Sequence, residues 1–550
     1  MKSILRLSKK CLLMAAGMLL AGNIALAQDI TVDPGLNSLV DAVDNNPGAT
    51  LILQKGATYV VNKPVTITQP TIIRGEEYSL EDTDPPALVQ MYSDPGEAMW
   101  KDLFIVAADL TLENLGLIGY TTENEQFWAL TTIDKDGVAL TLDGCVIQGA
   151  ANVTDTWEHN RGVYKFVNNI HFNISYEGWD NWGGHGGVQY KGDSCTLESH
   201  NNTYFVGGRC FGLTAKGITQ TQTVTHNTYV NTWGETIYKP YDKEFTLTNN
   251  IFYNTNLRGY VGERSRADTV FYAGDDISND DYTDTLNGDF PIKETDLDGA
   301  TRTVEVTNNL KFYEQRVLAW HAANNVTTQP FSSEINDSLA LLYGWNIANN
   351  FTPKDNNTFD PVFAMGEIPE ASFELSMIVR MERTLPPEER SAGFPYAIAW
   401  WVDDAPKGEF TWPLPFDFTP TNEAVLDAGD DDYPLGDLNW FGPEVVAAWE
   451  AGESNPLGIK EMEALNMSLQ NYPNPFGSIT TIRYELPVSS HVTMRIYNIS
   501  GAEVATLVNE NQIAGQHELT FDGANLSGGV YFCEIKAANA SQVHKMSLIK

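Results

Sequence analysis

The chain is short of cysteine, of positive charge and of long apolar runs. It has five cysteines in 550 residues. Beyond Cys11, the remaining Cys145, Cys195, Cys210 and Cys533 are too scattered for a disulfide framework, so stability has to come from a buried core. Lysine and arginine number 34 against 72 aspartates and glutamates, a net charge of −38. A surface of that sign repels nucleic acid and anionic lipid and excludes both as partners. The apolar run Cys11–Ala21 is too short to span a bilayer. Preceded by Lys2, Arg6, Lys9 and Lys10 and followed by Ala25-Leu26-Ala27, it predicts a cleaved secretory signal peptide over residues 1–27 and no transmembrane anchor. Cys11 opens the run instead of lying at its cleavage end, which argues against a lipoprotein. The length suggests two or three domains.

What the chain does have is a repeat. Leu110-Thr-Leu-Glu-Asn114, Leu140-Thr-Leu-Asp-Gly144, Tyr164-Lys-Phe-Val-Asn-Asn169, Ser199-His-Asn-Asn202, Val224-Thr-His-Asn227, Phe245-Thr-Leu-Thr-Asn-Asn250 and Val304-Glu-Val-Thr-Asn-Asn309 share the order strand, Asn, strand. Their reference positions are spaced by 30, 25, 33, 25, 23 and 59 residues. A short strand with a polar corner at such intervals is the mark of a solenoid whose coil length is fixed while its loops vary. The interval of 59 holds either two coils or one coil with a long excursion. Asn suits the corner because it tolerates a left-handed backbone and its amide can bond to the Asn one coil away. A leucine-rich repeat would need denser leucine, and a propeller periods of about 40. Ala49–Leu53, Gly56–Tyr59, Val65–Ile67 and Thr71–Gly75 read as the first coils. The pattern resembles right-handed parallel β-helix proteins of the pectate-lyase-like type.

Residues 260–300 interrupt the repeat with an acidic stretch that lacks the spacing of an EF-hand loop. Beyond Trp320 the periodicity fades into a region rich in Pro, Trp and Asp. The expected division is a β-helix over 28–320, irregular final coils and a tail packing on the helix over 321–452, a linker over 453–466, and a last domain over 467–550. In that domain Asn471-Tyr-Pro-Asn-Pro-Phe476, Thr481–Pro487, Val492–Asn498 and Gly528-Gly-Val-Tyr-Phe532 are alternating strands between Gly, Pro and Asn turns, as in a small immunoglobulin-like β-sandwich. These motifs, in this order, resemble the C-terminal sorting domain read by the bacterial type IX secretion system. The resemblance implies export across both membranes, to the outer cell surface or beyond, with the secretion machinery as a partner. The segment Leu435-Gly-Asp-Leu-Asn-Trp-Phe441 resembles one common in secreted β-helix proteins that end in the same domain.

Because coils stack, residues at equal offset from the corner become neighbours. Seven or eight residues after Asn202, Asn227 and Asn250 stand Arg209, Glu235 and Arg258; twelve to fourteen after stand Lys216, Lys239 and Glu263 with Arg264. Trp233, Tyr238 and Tyr260 lie beside them, and Gly183-Gly-His185-Gly-Gly187 belongs to the coil before. Cations, a carboxylate and stacking rings are what an acidic polysaccharide requires. Arg209, Lys216, Trp233, Tyr238, His185 and Arg264 are the candidate substrate contacts. β-Elimination from a uronate needs its carboxylate neutralised and a base at the α carbon. The stretch Asn227–Lys239 with Asn249-Asn250-Ile251-Phe252 and Leu257-Arg258-Gly259 resembles the catalytic stretch of the alginate lyase and chondroitinase B family. The resemblance implies calcium held by Asn227 and Glu235, Lys239 as base and Arg258 as the second catalytic cation. Three departures bear on it. Ile237 stands where that family has a second Glu, the Lys follows the first Glu by four residues where the family has seven, and Gly259 replaces a His.

Three functions fit these residues: a uronate polysaccharide lyase, a non-catalytic glycan-binding protein using the same groove, or an adhesin or structural surface protein for which the helix is a stiff rod.

Overall fold

The computed structural model describes residues 29–92, 102–126, 128–156, 159–174, 185–189, 194–207, 211–212, 219–232, 237–238, 242–255, 303–323, 346–348, 360–365, 410–426, 428–457, 469–486, 490–499, 502–512, 515–537 and 540–550. The signal peptide expected over 1–27, the acidic stretch of 260–300 and Cys210 lie outside them. The described residues fall into two compact units, one made of 1–359 with 368–416, the other of 360–367 with 417–550.

The first unit is a parallel β-helix. Sheet A has eleven strands, from Asp29–Val32 through Thr71–Gly75, Ala139–Asp143, Thr196–His200 and Thr219–Thr225 to Asn346–Ala348. Sheet B has nine, from Thr58–Val61 to Leu310–Phe312. Sheet C has five, from Val65–Ile67 to His185–Gln189, and in the next two coils a two-stranded sheet follows, Phe211–Gly212 with Ile237–Tyr238. From Thr50 to Gln189 each coil runs from A to B to C, and every strand pair in these sheets is parallel. The alternation of burial in Thr71–Gly75, Ala139–Asp143 and Thr303–Thr307 is that of strands with one face in the core. Thr246 pairs with Glu305 and Phe252 with Lys311, so the interval of 59 residues holds a single coil with a long excursion.

The corner between sheets A and B is built from two adjacent columns. The first takes the left-handed backbone: Asn114, Gly144, Asn168, Asn201, His226, Asn249 and Asn308 all have φ between 51° and 61°. The second carries the amide ladder. Asn169 donates its backbone N–H and Nδ2 to Oδ1 of Asn202 at 2.9 and 3.0 Å. Asn202 does the same to Asn227, Asn227 to Asn250, and Asn250 to Asn309. Each Nδ2 also donates to a carbonyl of the preceding coil, such as Phe166 for Asn202 and Val224 for Asn250. All five amides are buried. The single corner position expected from the sequence divides into a bend position and a ladder position, and Asn114 and Gly144 do not share the position of Asn169. They belong to the bend column, and the ladder position holds Cys145, whose N–H donates to Asn169 Oδ1. A second left-handed column, Gly149, Asn173, Val206, Asn231 and Asn254, turns the chain out of sheet B.

Inside sheet B an aromatic stack continues the ladder's geometry. His171 lies on Tyr204 at 4.4 Å, Tyr204 on Tyr229 at 5.0 Å, and Tyr229 on Phe252 at 5.0 Å. The outer face of sheet B is apolar as well, and residues 410–416 pack on it. Thr411 N donates to Gln148 Oε1 and Trp412 Nε1 to the Asp82 carbonyl. The Phe416 ring meets Phe172 at 5.7 Å and Phe205 at 5.1 Å. A Cβ at Gly116 would overlap Leu88 Cδ2 and lie 3.1 Å from the Phe410 ring, so the position has little room for a side chain. Sheet A's outer face is threonine-rich and carries paired charges, including Lys165 with Glu198 at 2.8 Å.

In the second unit, Leu438–Phe441 is a short 3₁₀ turn capped by Asp437, followed by a helix Pro443–Glu450 with Pro at its first turn. Tyr433, Leu438, Val445 and Val446 form its core. Residues 469–550 make two antiparallel sheets, Gln470–Tyr472 with Ile479–Leu486 and Gly515–Asp522, and Glu503–Gln512 with Ser490–Asn498, Gly529–Ala537 and Ala540–Leu548. They enclose one core that includes Ile482, Met494, Ile496, Ile535 and Met546.

The two Asn columns have different energetic weights. Asn202→Ala strands buried donors of Asn169 and should cost about 3 kcal/mol, whereas Asn308→Ala, in the bend column, loses conformational preference and should cost about 1 kcal/mol. Denaturant unfolding of the two variants checks the difference; equal losses would contradict this division of roles.

Candidate functional site

The described residues nearest in sequence to the expected site are those where the chain leaves sheet B for sheet C. Asn231 and Asn254 make that turn, and Asn254 Nδ2 donates to Asn231 Oδ1 at 3.0 Å and to Glu314 Oε2 at 2.7 Å. Glu314 in turn accepts from Arg316 Nε and Nη2 at 3.0 and 2.8 Å. Phe211 then pairs with Ile237 and Gly212 with Tyr238. The coil-to-coil interval at this point is therefore 26 residues, the interval that separates Arg209 from Glu235.

Of the residues singled out in the sequence, Tyr238 ends the strand Ile237–Tyr238 and His185 opens the strand His185–Gln189, where it pairs with Asn152. Arg209, Lys216, Trp233, Glu235, Lys239, Arg258 and Arg264 lie outside the described residues. Asn227 is a correction. Its Oδ1 accepts from Asn202 N, Asn202 Nδ2 and Ser199 Oγ, and its Nδ2 donates to Asn250 Oδ1 and to two carbonyls. With no exposed surface and its oxygen already shared by three donors, it is a ladder residue and does not fit a calcium ligand. Among the described residues no group of three or more His, Cys, Asp or Glu side chains is placed to hold a metal ion.

Sheet C carries two acids that spacing did not single out. Asp102 opens the strand Asp102–Val106; burial, with the charge of Asp155 adding to it, pushes its carboxyl up to about 6. Asp155 is fully buried and accepts from Trp128 Nε1 at 2.6 Å. They are 53 residues apart, and only the stacking of coils brings them onto one sheet, so no local motif marks them. Beneath the candidate coils, burial lowers the His171 imidazole to about 3. Both its ring nitrogens are buried without a hydrogen-bond partner. Burial likewise lowers His200 to about 4, against the opposing pull of Glu198. The buried thiols of Cys145 and Cys533 are pushed up to about 12 and are unreactive in that state. Cys145, Cys195 and Cys533 form no disulfide among the described residues.

With the geometry in place, comparison with known proteins locates the export signal. Residues 470–550 match the family model of the secretion system C-terminal sorting domain. That domain marks export by the type IX secretion system to the cell surface or extracellular space. Among the described residues no helix is long and apolar enough to cross a membrane. No curated protein matches the chain at a significant level. Among solved structures, a PL6 family alginate lyase, AlyGC, is matched at 14% sequence identity with a TM-score of 0.21, over 43% of this chain and 37% of that one. The match thus spans little more than a third of that lyase.

His171 gives the β-helix an acid-sensitive core. The unfolded chain binds a proton at His171 near pH 6.5 and the folded chain only near pH 3, so the folded state loses stability as pH falls between those values. The slope is about 1.4 kcal/mol per pH unit for one histidine. His171→Phe keeps the ring on Tyr204 and removes the proton site, and pH-dependent unfolding should show a flatter profile below pH 6.5. An unchanged profile would show that His171 does not titrate in this way.

Proposed function

We propose that this exported β-helix protein binds a uronate-containing extracellular polysaccharide across the coils of residues 205–265 and cleaves it by β-elimination. The observation that carries the reading is the parallel pairing of Phe211 with Ile237 and Gly212 with Tyr238. It sets an interval of 26 residues between two coils, the separation of Arg209 from Glu235, and Lys216 and Lys239 follow the same two strands in sequence. Export supports the reading too, because such polymers are found where the protein is sent.

In this reading Lys239, as the free amine, takes the proton from the carbon α to the uronate carboxylate. Arg258 meets the charge that spreads onto the carboxylate as the proton leaves. The electron pair forms the ring double bond as the glycosidic oxygen departs from the adjacent carbon with the bonding pair and takes a proton from water. Arg209, Lys216 and Arg264 bind neighbouring uronates, and Trp233, Tyr238 and His185 stack or hydrogen-bond with the sugar rings. A strongly acidic protein meets a polyanion only through such a local cationic column. Asn227, whose amide is held in the ladder, is not counted as a calcium ligand in this reading.

The purified protein, incubated with a panel of uronate polymers, should generate the ultraviolet absorbance of the new conjugated double bond. Lys239→Ala and Arg258→Ala should each lower the rate by about a hundredfold or more. Equal rates in the variants would displace the site. Saturable binding without product would leave a glycan-binding protein and refute the lyase.

A further inference from the structure

The opening segment of the sorting domain divides into residues that hold the domain together and residues that do not. Phe476 is 2% exposed and meets Phe521 at 6.1 Å. Its N–H donates to the Ser547 carbonyl, and its own carbonyl accepts from Ile549 N. Asn474 Nδ2 donates to the Lys545 carbonyl, and its Oδ1 accepts from Ser547 N. Asn471 donates to Thr480 Oγ1 and the Pro473 carbonyl, and its Oδ1 lies 2.9 Å from His544 Nε2. Together they latch the segment along Ala540–Leu548, an edge strand of the four-stranded sheet, and occupy an edge that would otherwise be open to strand addition.

Tyr472 has no such duty. It is 81% exposed and pairs with Thr481. Ile479, 53% exposed, stands two residues away on the neighbouring strand, so the two side chains share the outer face as diagonal neighbours. Pro473 and Pro475 are exposed beside them. On the same strand Arg483 pairs with Glu518 at 2.7 Å. Exposed large apolar side chains are concentrated in this domain, at Tyr472, Ile479, Ile499, Val543 and Ile549. An aromatic ring in solvent adds nothing to folding. An aromatic anchor with apolar neighbours and a charged rim is the anatomy of a binding hot spot.

We infer that the face formed by Tyr472, Pro473, Pro475 and Ile479 is the surface on which a protein of the export machinery captures this domain, through an apolar pocket that takes the Tyr472 ring. The occupant follows from the domain's role: it marks the chain for export, so a face of it has to be read by that machinery, and the latched strand edge is already occupied. Asn471, Asn474 and Phe476 hold the face in shape, and Tyr472 is what the partner contacts.

The test uses the full-length chain in a host that has the type IX system and measures the ratio of protein outside the outer membrane to protein retained. Tyr472→Ala and Tyr472→Lys should each lower that ratio by about tenfold or more, and Ile479→Thr by less, with the unfolding midpoint of each purified variant unchanged. Asn471→Ala should instead lower the midpoint of the domain. Undiminished export of both Tyr472 variants would overturn the proposal. So would retention that tracks a lowered midpoint in both. Conversion of a dimer to a monomer with export unaffected would assign the face to a second copy of the chain and overturn it as well.

Discussion

The β-helix depends on a row of buried amides. Parallel strands alone leave the register of one coil on the next weakly specified, because a slip by two residues keeps every side chain on its own face. The ladder removes that freedom. Each of Asn169, Asn202, Asn227 and Asn250 gives two hydrogen bonds to one oxygen in the following coil, and those bonds are made away from water, where an unpaired amide is costly. The stack His171–Tyr204–Tyr229–Phe252 repeats the same register with ring contacts. With register pinned at these points, loops can grow at little cost, which is how one coil carries the excursion between Asn254 and Thr303.

The three faces of the helix have different duties. Sheet B is apolar on both sides: its inner face holds the stack, and its outer face takes the tail through Thr411, Trp412 and Phe416. Sheet A presents threonines and paired charges to solvent. Sheet C and its two-stranded continuation bear Asp102, Asp155, His185 and Tyr238 and border the segments in which the proposed substrate residues occur. A polysaccharide laid along such a face would meet one strand per coil at the 4.7–4.9 Å spacing of hydrogen-bonded strands. Groups 23 to 26 residues apart in sequence would then contact successive parts of one chain.

Much of this was legible in the sequence, for identifiable reasons. The Asn corner repeats at nearly fixed offset from its strands, so the solenoid could be found from spacing, and the sorting domain is marked by local motifs. The ladder position was misplaced by one residue at Asn114 and Gly144 because neighbouring asparagines, as in Asn168-Asn169 and Asn249-Asn250, do different work that composition does not distinguish. The second left-handed column was missed because Val206 interrupts it. The docking of Phe410 and Phe416 was beyond residue-level prediction, since it joins side chains more than 200 positions apart and has no period. Asn227 carried two readings, and its buried hydrogen bonds decide for the structural one.

The measurement that bears most directly on the ladder is native-state hydrogen exchange at the backbone amides of Asn169, Asn202, Asn227 and Asn250. If the ladder is the constraint that binds the coils, these four amides exchange together, only through global unfolding, with one shared opening free energy. Exchange in a graded series, each coil opening independently of the next, would contradict the account.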